Sequence, residues 1–413
     1  MDEKHGLNSR EILVIGLSAV ARFATTGILG TVMAVYVGKE GSPFAVSMVY
    51  SAYFMGTTFF APLWGALADV TGRKKLVVVI TSFMAVAVII PLIFLNGTWL
   101  PISLRGLYGV FAIAFTPVLL ALISGRGGAK RRGRSVGFFN STRAGGFTLG
   151  QFLAGYLLGL LAPDRIYTII CGLALVSAFG STMIEKDEVQ NKSSISLDKI
   201  KEETKKRLFP KTGERKHLKK KGLGWLYLAM ALRHYTVRSI FSLLPVYYTS
   251  IVGFSEFTMG LLLSLNTASQ MILMYLFGHV VDRFGRKPSI VAGIGGSMIF
   301  ALMIAGINLI DFFPLQLAIA ASSSILIAVA YSAMSIGIIS FIGDVSPEER
   351  EGELQGLRST SIGVAGILGP MTIGIFATYL GFSPAFAIIS GFALIATAMA
   401  WVAVEESLSS KIK

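Results

Sequence analysis

Twelve stretches of this chain run for about 20 residues or more with almost no charge, which restricts its folds more than any other property. They cover 12–37, 44–68, 76–95, 102–124, 136–161, 166–184, 223–251, 257–277, 289–309, 314–342, 357–379 and 384–404. A helix crossing a bilayer needs about 20 mostly apolar residues, because its backbone groups must bond to one another and not to water. Of 413 residues, 53% are apolar and only 15% are charged. A soluble protein would carry about a quarter charged residues, and a disordered chain would be poor in apolar ones. Both classes are excluded. The expected fold is an all-α integral membrane protein of twelve transmembrane helices. The first ten residues are polar and the first stretch exceeds a signal-peptide core, so no cleavage is expected. The single cysteine, Cys171, excludes an internal disulfide and a cysteine-based zinc site, and its apolar surroundings read as packing.

The net charge of +14 in isolation would suggest a nucleic-acid partner, but the placement of the charges argues otherwise. Thirty of the 37 lysines and arginines fall on the side of the N-terminus, in alternate loops and both tails. Only Lys39 and Arg165 lie in the opposite loops, and five arginines fall inside spans. By the positive-inside rule both termini are cytoplasmic, in a multi-pass protein of the cell (plasma) membrane. The basic excess is therefore a topology signal, and no nucleic-acid partner is expected. One long loop, 186–221, carries 13 basic and 6 acidic residues and reads as a solvated cytoplasmic linker. Its basic runs at 205–207 and 219–221 are also suited to anionic headgroups, at about 1 kcal/mol per residue near the surface.

That linker separates two related halves, an N-terminal six-helix bundle over 1–185 and a C-terminal one over 222–413. After the second span comes Gly65-Ala-Leu-Ala-Asp69-Val-Thr-Gly72-Arg73-Lys74-Lys75. After the eighth comes Gly278-His-Val-Val-Asp282-Arg-Phe-Gly285-Arg286-Lys287, offset by 213. A second echo, at an offset of 219, aligns Gly133, Gly137, Gly150 and Gly155 with Gly352, Gly356, Gly369 and Gly374. A third aligns Arg22 and Tyr36 with Arg233 and Tyr247. Duplicated halves joined by a polar loop are the mark of a secondary transporter.

The duplicated Gly-x-x-x-Asp-x-x-Gly-Arg-Lys loop resembles the signature loop of the major facilitator superfamily, and the resemblance covers essentially the whole chain. It implies two pseudo-symmetric six-helix bundles. It also implies that Gly65, Asp69, Gly72, Arg73 and Lys74, with Gly278, Asp282, Gly285 and Arg286, latch the halves on the cytoplasmic side in the outward-open state. The chemistry agrees: the glycines permit a tight reversal, Asp69 suits a helix N-terminus, and Arg73 suits carboxylates or helix C-termini. Two departures occur. Val70 replaces a commonly basic residue, and the fifth span reads Gly146-x-x-x-Gly150-Gln151-x-x-x-Gly155 where the superfamily's drug antiporters usually have Gly-Pro. Gly369-Pro370 of span 11 has that dipeptide instead.

The five intramembrane arginines are Arg22, Arg105, Arg143, Arg233 and Arg238, and no Asp or Glu lies deep in any span. Burying an arginine in hydrocarbon costs at least about 2.5 kcal/mol, so each should face water or a partner. An electropositive aqueous cavity is the simplest solution. In the resembled architecture the first, second, fourth and fifth helices of each half line the cavity or its flanks, and all five arginines fall on such spans. Arg22 shares a face with Thr25 and Thr26, and Arg233 is its repeat mate. Arg238 follows His234 by one turn. Arg143 heads a stripe with Phe147 and Gln151, near enough to the span's end to snorkel. Arg105 matches the superfamily's Arg-x-x-x-Gly pattern of span 4, which implies a role in coupling or in the substrate region. Asn266 with Gln270, Tyr331 with Ser335, and Tyr50, Tyr53 and Thr57 read as interhelical hydrogen bonds or ligand contacts. His234 is the obvious mid-membrane proton acceptor, although its arginine neighbours count against proton carriage.

No His-Glu-x-x-His, phosphate loop, Gly-x-Ser-x-Gly elbow or intramembrane carboxylate pair is present, so the chain does not read as an enzyme. No cofactor or metal site is expected, and a proton or sodium gradient would supply the driving force. The reading is a monomeric secondary active transporter in the lipid bilayer, working by alternating access. Its solute would be a small organic anion or an anion-bearing molecule, passing through an arginine-lined central cavity. The alternatives are a proton-coupled multidrug efflux transporter and a non-transporting receptor or scaffold of the same fold.

Overall fold

The computed structural model describes residues 9–94, 97–126, 128–184, 197–208, 220–345 and 351–408. Most of the linker, including Lys219 of its second basic run, and both extreme ends lie outside the described residues. The first half comprises α1 (Ser9–Glu40), α2 (Pro43–Thr71), α3 (Lys74–Ile89), α4 (Trp99–Ala112), α5 (Phe115–Arg126), α6 (Gly128–Leu158) and α7 (Pro163–Thr182). A short helix of the linker, α8 (Leu197–Leu208), follows. The second half comprises α9 (Leu223–Val246), α10 (Glu256–Phe284), α11 (Arg286–Gly306), α12 (Phe313–Val345), α13 (Glu351–Leu380) and α14 (Phe382–Ala403). Among the described residues, ten segments are long and apolar enough to cross a membrane unaided. These are α1 to α3, the α4–α5 pair, α7, and α10 to α14. The two remaining long helices, α6 and α9, are those that carry Arg143, Arg233 and Arg238.

Local chemistry sets the ends. Ser255 caps α10 by accepting the Thr258 N–H at 3.1 Å. Gly72 (φ +66) and Gly285 (φ +103) turn the chain out of α2 and α10 and into α3 and α11. The fourth apolar stretch crosses as the single span read from sequence, but its helix is interrupted by a turn at Ile113–Ala114. Pro117 explains the position: it has no N–H to give and its ring crowds the carbonyl four residues back, that of Ile113. Across the break the Ala114 N–H turns to Phe111 O at 3.3 Å, and the Trp64 indole N–H supplies Val110 O at 2.7 Å.

Two compact units form. One comprises Met1–Tyr36 with Ala52–Phe209, the other Val37–Ser51 with Pro210–Lys413. In the first, α3 packs on α4, α5 and α7. Phe23 of α1 sits in its core, edge-on to Phe115 at 6.2 Å and to Phe139 at 5.8 Å between centroids. The α6 glycines let that helix touch α1: a Cβ on Gly150 would collide with the backbone of Ala24, and one on Gly146 would stand 2.7 Å from Val20 O.

In the second unit α9 packs on α13 and α14, and α11 lies against α12 and α14. Its core gathers Leu226, Met230, Ile294, Met334, Ile338, Phe341 and Ala396. Gly369 of α13 meets Tyr235 O of α9, where a Cβ would stand at 2.6 Å. Gly150 and Gly369, aligned by the repeat, therefore do the same work, bringing the fifth span of each half against its first. The 37–51 segment joins this unit through Ser51 Oγ, which donates to Ile367 O at 2.8 Å, and the Phe44 N–H, which donates to Thr378 Oγ1 at 3.2 Å.

Candidate functional site

In the first unit Arg22 is 1% exposed, and among the described residues none of its Nε, Nη1 and Nη2 atoms has a hydrogen-bond partner. It rests on two aromatic rings, Tyr108 at 5.4 Å and Phe115 at 5.9 Å from the ring centroids. Those rings stand on either side of the α4–α5 break. Arg105 lies 4.4 Å from the Tyr53 ring and 5.3 Å from that of Tyr108, and its Nη2 donates to Thr26 O at 3.3 Å. Tyr53 and Tyr108 are stacked at 6.4 Å. The fold thus joins Arg22, Thr26 and Arg105 around one tyrosine.

The hydroxyls beside Arg22 have other roles. Thr25 Oγ1 donates to Ala21 O at 2.8 Å and Thr26 Oγ1 to Arg22 O at 3.0 Å, the usual back-bonding within a membrane helix. With its proton so placed, Thr26 Oγ1 accepts from the Tyr108 hydroxyl at 2.8 Å. Elsewhere on α6, Arg143 and Gln151 are both half-buried, and the Gln151 backbone lies 3.6 Å from where a Cβ on Gly27 would stand.

The second unit repeats the motif with a difference. Arg233, 1% exposed, lies 5.6 Å from the Tyr331 ring of α12, as Arg22 lies over Tyr108. Its Nε, however, donates to Ser297 Oγ at 2.8 Å, and Ser297 donates onward to Gly293 O at 3.0 Å. His234 is buried with Nδ1 at 2.9 Å from Met230 O, a geometry in which Nδ1 carries the proton and donates. Arg238 is half-buried one turn further on. Gln270 Nε2 donates to Asn266 Oδ1 at 2.9 Å, so these two are joined to each other.

The two signature loops differ in their partners. Asp69 bonds Arg207 of α8 at 2.7 Å and lies 3.9 Å from Lys74, while Arg73 is exposed. The Arg207 guanidinium covers Gly65, where a Cβ would stand 2.5 Å from its Nη1. In the second copy Arg286 bridges Asp282 at 3.1 Å and Asp344 at 2.9 Å. The N-terminus of α11 is met by Glu406, which lies beyond α14, not by Asp282. Its carboxylate accepts the N–H groups of Arg286 at 3.1 Å and Lys287 at 3.0 Å. Lys221 Nζ donates to Glu406 O at 2.9 Å. Burial alone would raise the Glu406 pKa, but backbone N–H groups of Leu408, Arg286, Lys287 and Ser407 outweigh it and hold the carboxyl below its ordinary value.

Sequence reasoning reached the arginines and the loops but missed Tyr108, Phe115, Ser297, Arg207, Asp344 and Glu406 as their partners. One signal was available for the first pair. Pro117 inside an apolar stretch marks a break at Ile113, and rings beside a broken span are natural neighbours for a buried cation.

The family described as Major Facilitator Superfamily matches residues 15–322 and 226–413. The chain is 25% identical to an uncharacterized MFS-type transporter of Methanocaldococcus jannaschii over 94% of its own length and 97% of that protein. It is 24% identical to the multi-drug resistance efflux pump PmrA of Streptococcus pneumoniae, over 85% of this chain and 84% of PmrA. Among solved structures, a point mutant of the nucleoside transporter NupG matches with a TM-score of 0.77 at 13% identity, covering 96% of this chain and all of that one. A bacterial homolog of the human lysosomal transporter Spinster, inward-facing and occupied, matches at 0.75 and 15% identity, over 96% of each chain.

Proposed function

This chain belongs to the major facilitator superfamily, and from that premise we propose that it carries a small organic anion across the membrane by alternating access. One observation carries the choice of an anion: a guanidinium lies inside the first bundle, buried and without a hydrogen bond on any nitrogen. No acidic residue lies deep in any span of the sequence. A charge left in that condition calls for an acceptor, and a planar carboxylate or phosphate answers a guanidinium fork better than any neutral group. Ion pairs form at Asp69, Asp282 and Asp344, near helix ends. In this reading those pairs steady the closed state of a cytoplasmic gate. Both termini are cytoplasmic, and the protein works as a monomer in the plasma membrane.

A second reading, multidrug efflux, is favoured by two relatives, the multi-drug resistance efflux pump PmrA and the multidrug resistance protein MdtG. The two readings diverge in the charge of the solute. A proton-coupled exporter of lipophilic cations needs an intramembrane acid, which this sequence lacks. A thermal-shift series on purified protein separates them. Organic anions should raise Tm in a concentration-dependent way, since a ligand of the folded state stabilises it by mass action. Stabilisation by lipophilic cations alone would favour the efflux reading.

A further inference from the structure

Arg22 and Arg233 are repeat mates, and a strictly symmetric transporter would use both alike. Their surroundings are unequal. Each lies 1% exposed over a tyrosine, Arg22 over Tyr108 of α4 and Arg233 over Tyr331 of α12. Arg233 is tied by its Nε to Ser297, whose own proton is committed to Gly293 O, and of its nitrogens only Nη2 is buried without a partner among the described residues. Arg22 has no such tie, since Nε, Nη1 and Nη2 all lack a hydrogen bond. Among the described residues none of the nearby hydroxyls accepts from it: Thr25 and Thr26 donate to their own helix, and the Tyr108 hydroxyl donates to Thr26.

The helices facing the two arginines are also unequal. Tyr331 lies on α12, which runs unbroken from Phe313 to Val345. Tyr108 and Phe115 flank the interruption between α4 and α5, imposed by Pro117 and braced by Trp64. An interrupted span lacks the full ladder that fixes a continuous helix, so a side chain beside it can be uncovered by a small local movement.

We propose that the anionic group of the transported solute docks on Arg22, at the break in the fourth span of the first bundle, while Arg233 is a structural pin of the second. This rests on the anion reading above. The ligand class is one that offers two coplanar acceptor oxygens, a carboxylate or a phosphate monoester, because a guanidinium presents five N–H donors in a fixed fork and accepts nothing. Tyr108 and Phe115 hold the cation through their ring faces while leaving its N–H edges available. Arg105, clasped by Tyr53, Tyr108 and Thr26 O, positions Tyr108.

The experiment measures binding of benzoate and of phenyl phosphate to the full-length protein, with Tm recorded alongside, for wild type, R22Q, R233K and S297A. The expected result is a loss of affinity of tenfold or more in R22Q with no fall in its resting Tm, since the substitution removes a buried charge that lacks hydrogen bonds. R233K and S297A should lower Tm and leave both affinities within twofold of wild type. If R233Q folds, it should behave like R233K. Equal binding by R22Q and wild type would overturn the placement of the site while leaving the anion reading standing. Loss of binding in S297A or R233K with R22Q unaffected would reverse the assignment of the two arginines. Failure of wild type to bind either probe, with binding of a lipophilic cation such as tetraphenylphosphonium, would overturn the anion reading and this inference together.

Discussion

Glu406 illustrates how a single side chain can hold together segments far apart in sequence. Its carboxylate receives the first N–H groups of α11, where the helix's positive end and its unbonded donors coincide. The Glu406 carbonyl also accepts from Lys221, at the start of the second half. Because the folded pKa lies below the ordinary carboxylate value, the contribution to stability is present above the unfolded pKa of about 4.5 and is lost as pH falls through the lowered folded value. Tm of the wild type should therefore decline below about pH 4.5 more steeply than Tm of E406Q, and E406Q should already be the less stable protein at pH 7. Parallel profiles for the two proteins would remove this role. Nothing in the sequence signals the contact. Glu406 stands in a polar tail, and only the return of α14 beside α11 gives it a helix end to cap.

Among the elements, the interrupted fourth span is the one the sequence disclosed in principle and periodicity concealed. Residues 102–124 are uniformly apolar, so hydropathy reads them as one rod. Pro117 alone breaks it, at the carbonyl of Ile113. Proline is about 3 kcal/mol worse than alanine inside a helix, so Pro117→Ala should restore continuity and raise Tm. If the break serves to uncover Arg22, the same substitution should slow transport several-fold in proteoliposomes. A continuous span that transports at the wild-type rate would show that the break has no part in the cycle. The linker helix α8 lies at the opposite extreme of legibility. Its basic run invited a lipid reading, yet Arg207 is committed to Asp69 at 2.7 Å. The sequence supplied the charge and could not supply the partner, since 138 residues separate the two.

At the scale of the molecule, the duplication was the most legible property, and it extends to packing. Gly150 and Gly369 were paired by a sequence offset alone, and both press the fifth span of their half against the first. Alanine at either position should cost about 1–3 kcal/mol through overpacking against backbone. Gly137→Ala, within α6 and where a Cβ meets nothing within 4 Å, should instead stabilise by up to about 1 kcal/mol and serves as the control in the same unfolding series. Symmetry was also where sequence reasoning overreached. Offsets match Arg22 to Arg233, but they do not reveal that Ser297 stands beside one of them only. A serine on span 9 carries no mark of facing an arginine on span 7; it is the close seating of α9 near α11 that brings them together.

The membrane fold, the duplication and the family thus follow from how apolar runs, glycines and loop charges are distributed, while the proposed anion chemistry rests on a buried positive charge. Uptake of a labelled organic anion and a labelled lipophilic cation into the same proteoliposomes tests that claim most directly. The account predicts that the anion accumulates in a protein-dependent manner and that the cation stays at the level of empty vesicles. Protein-dependent movement of the cation, with the anion at background, would contradict it.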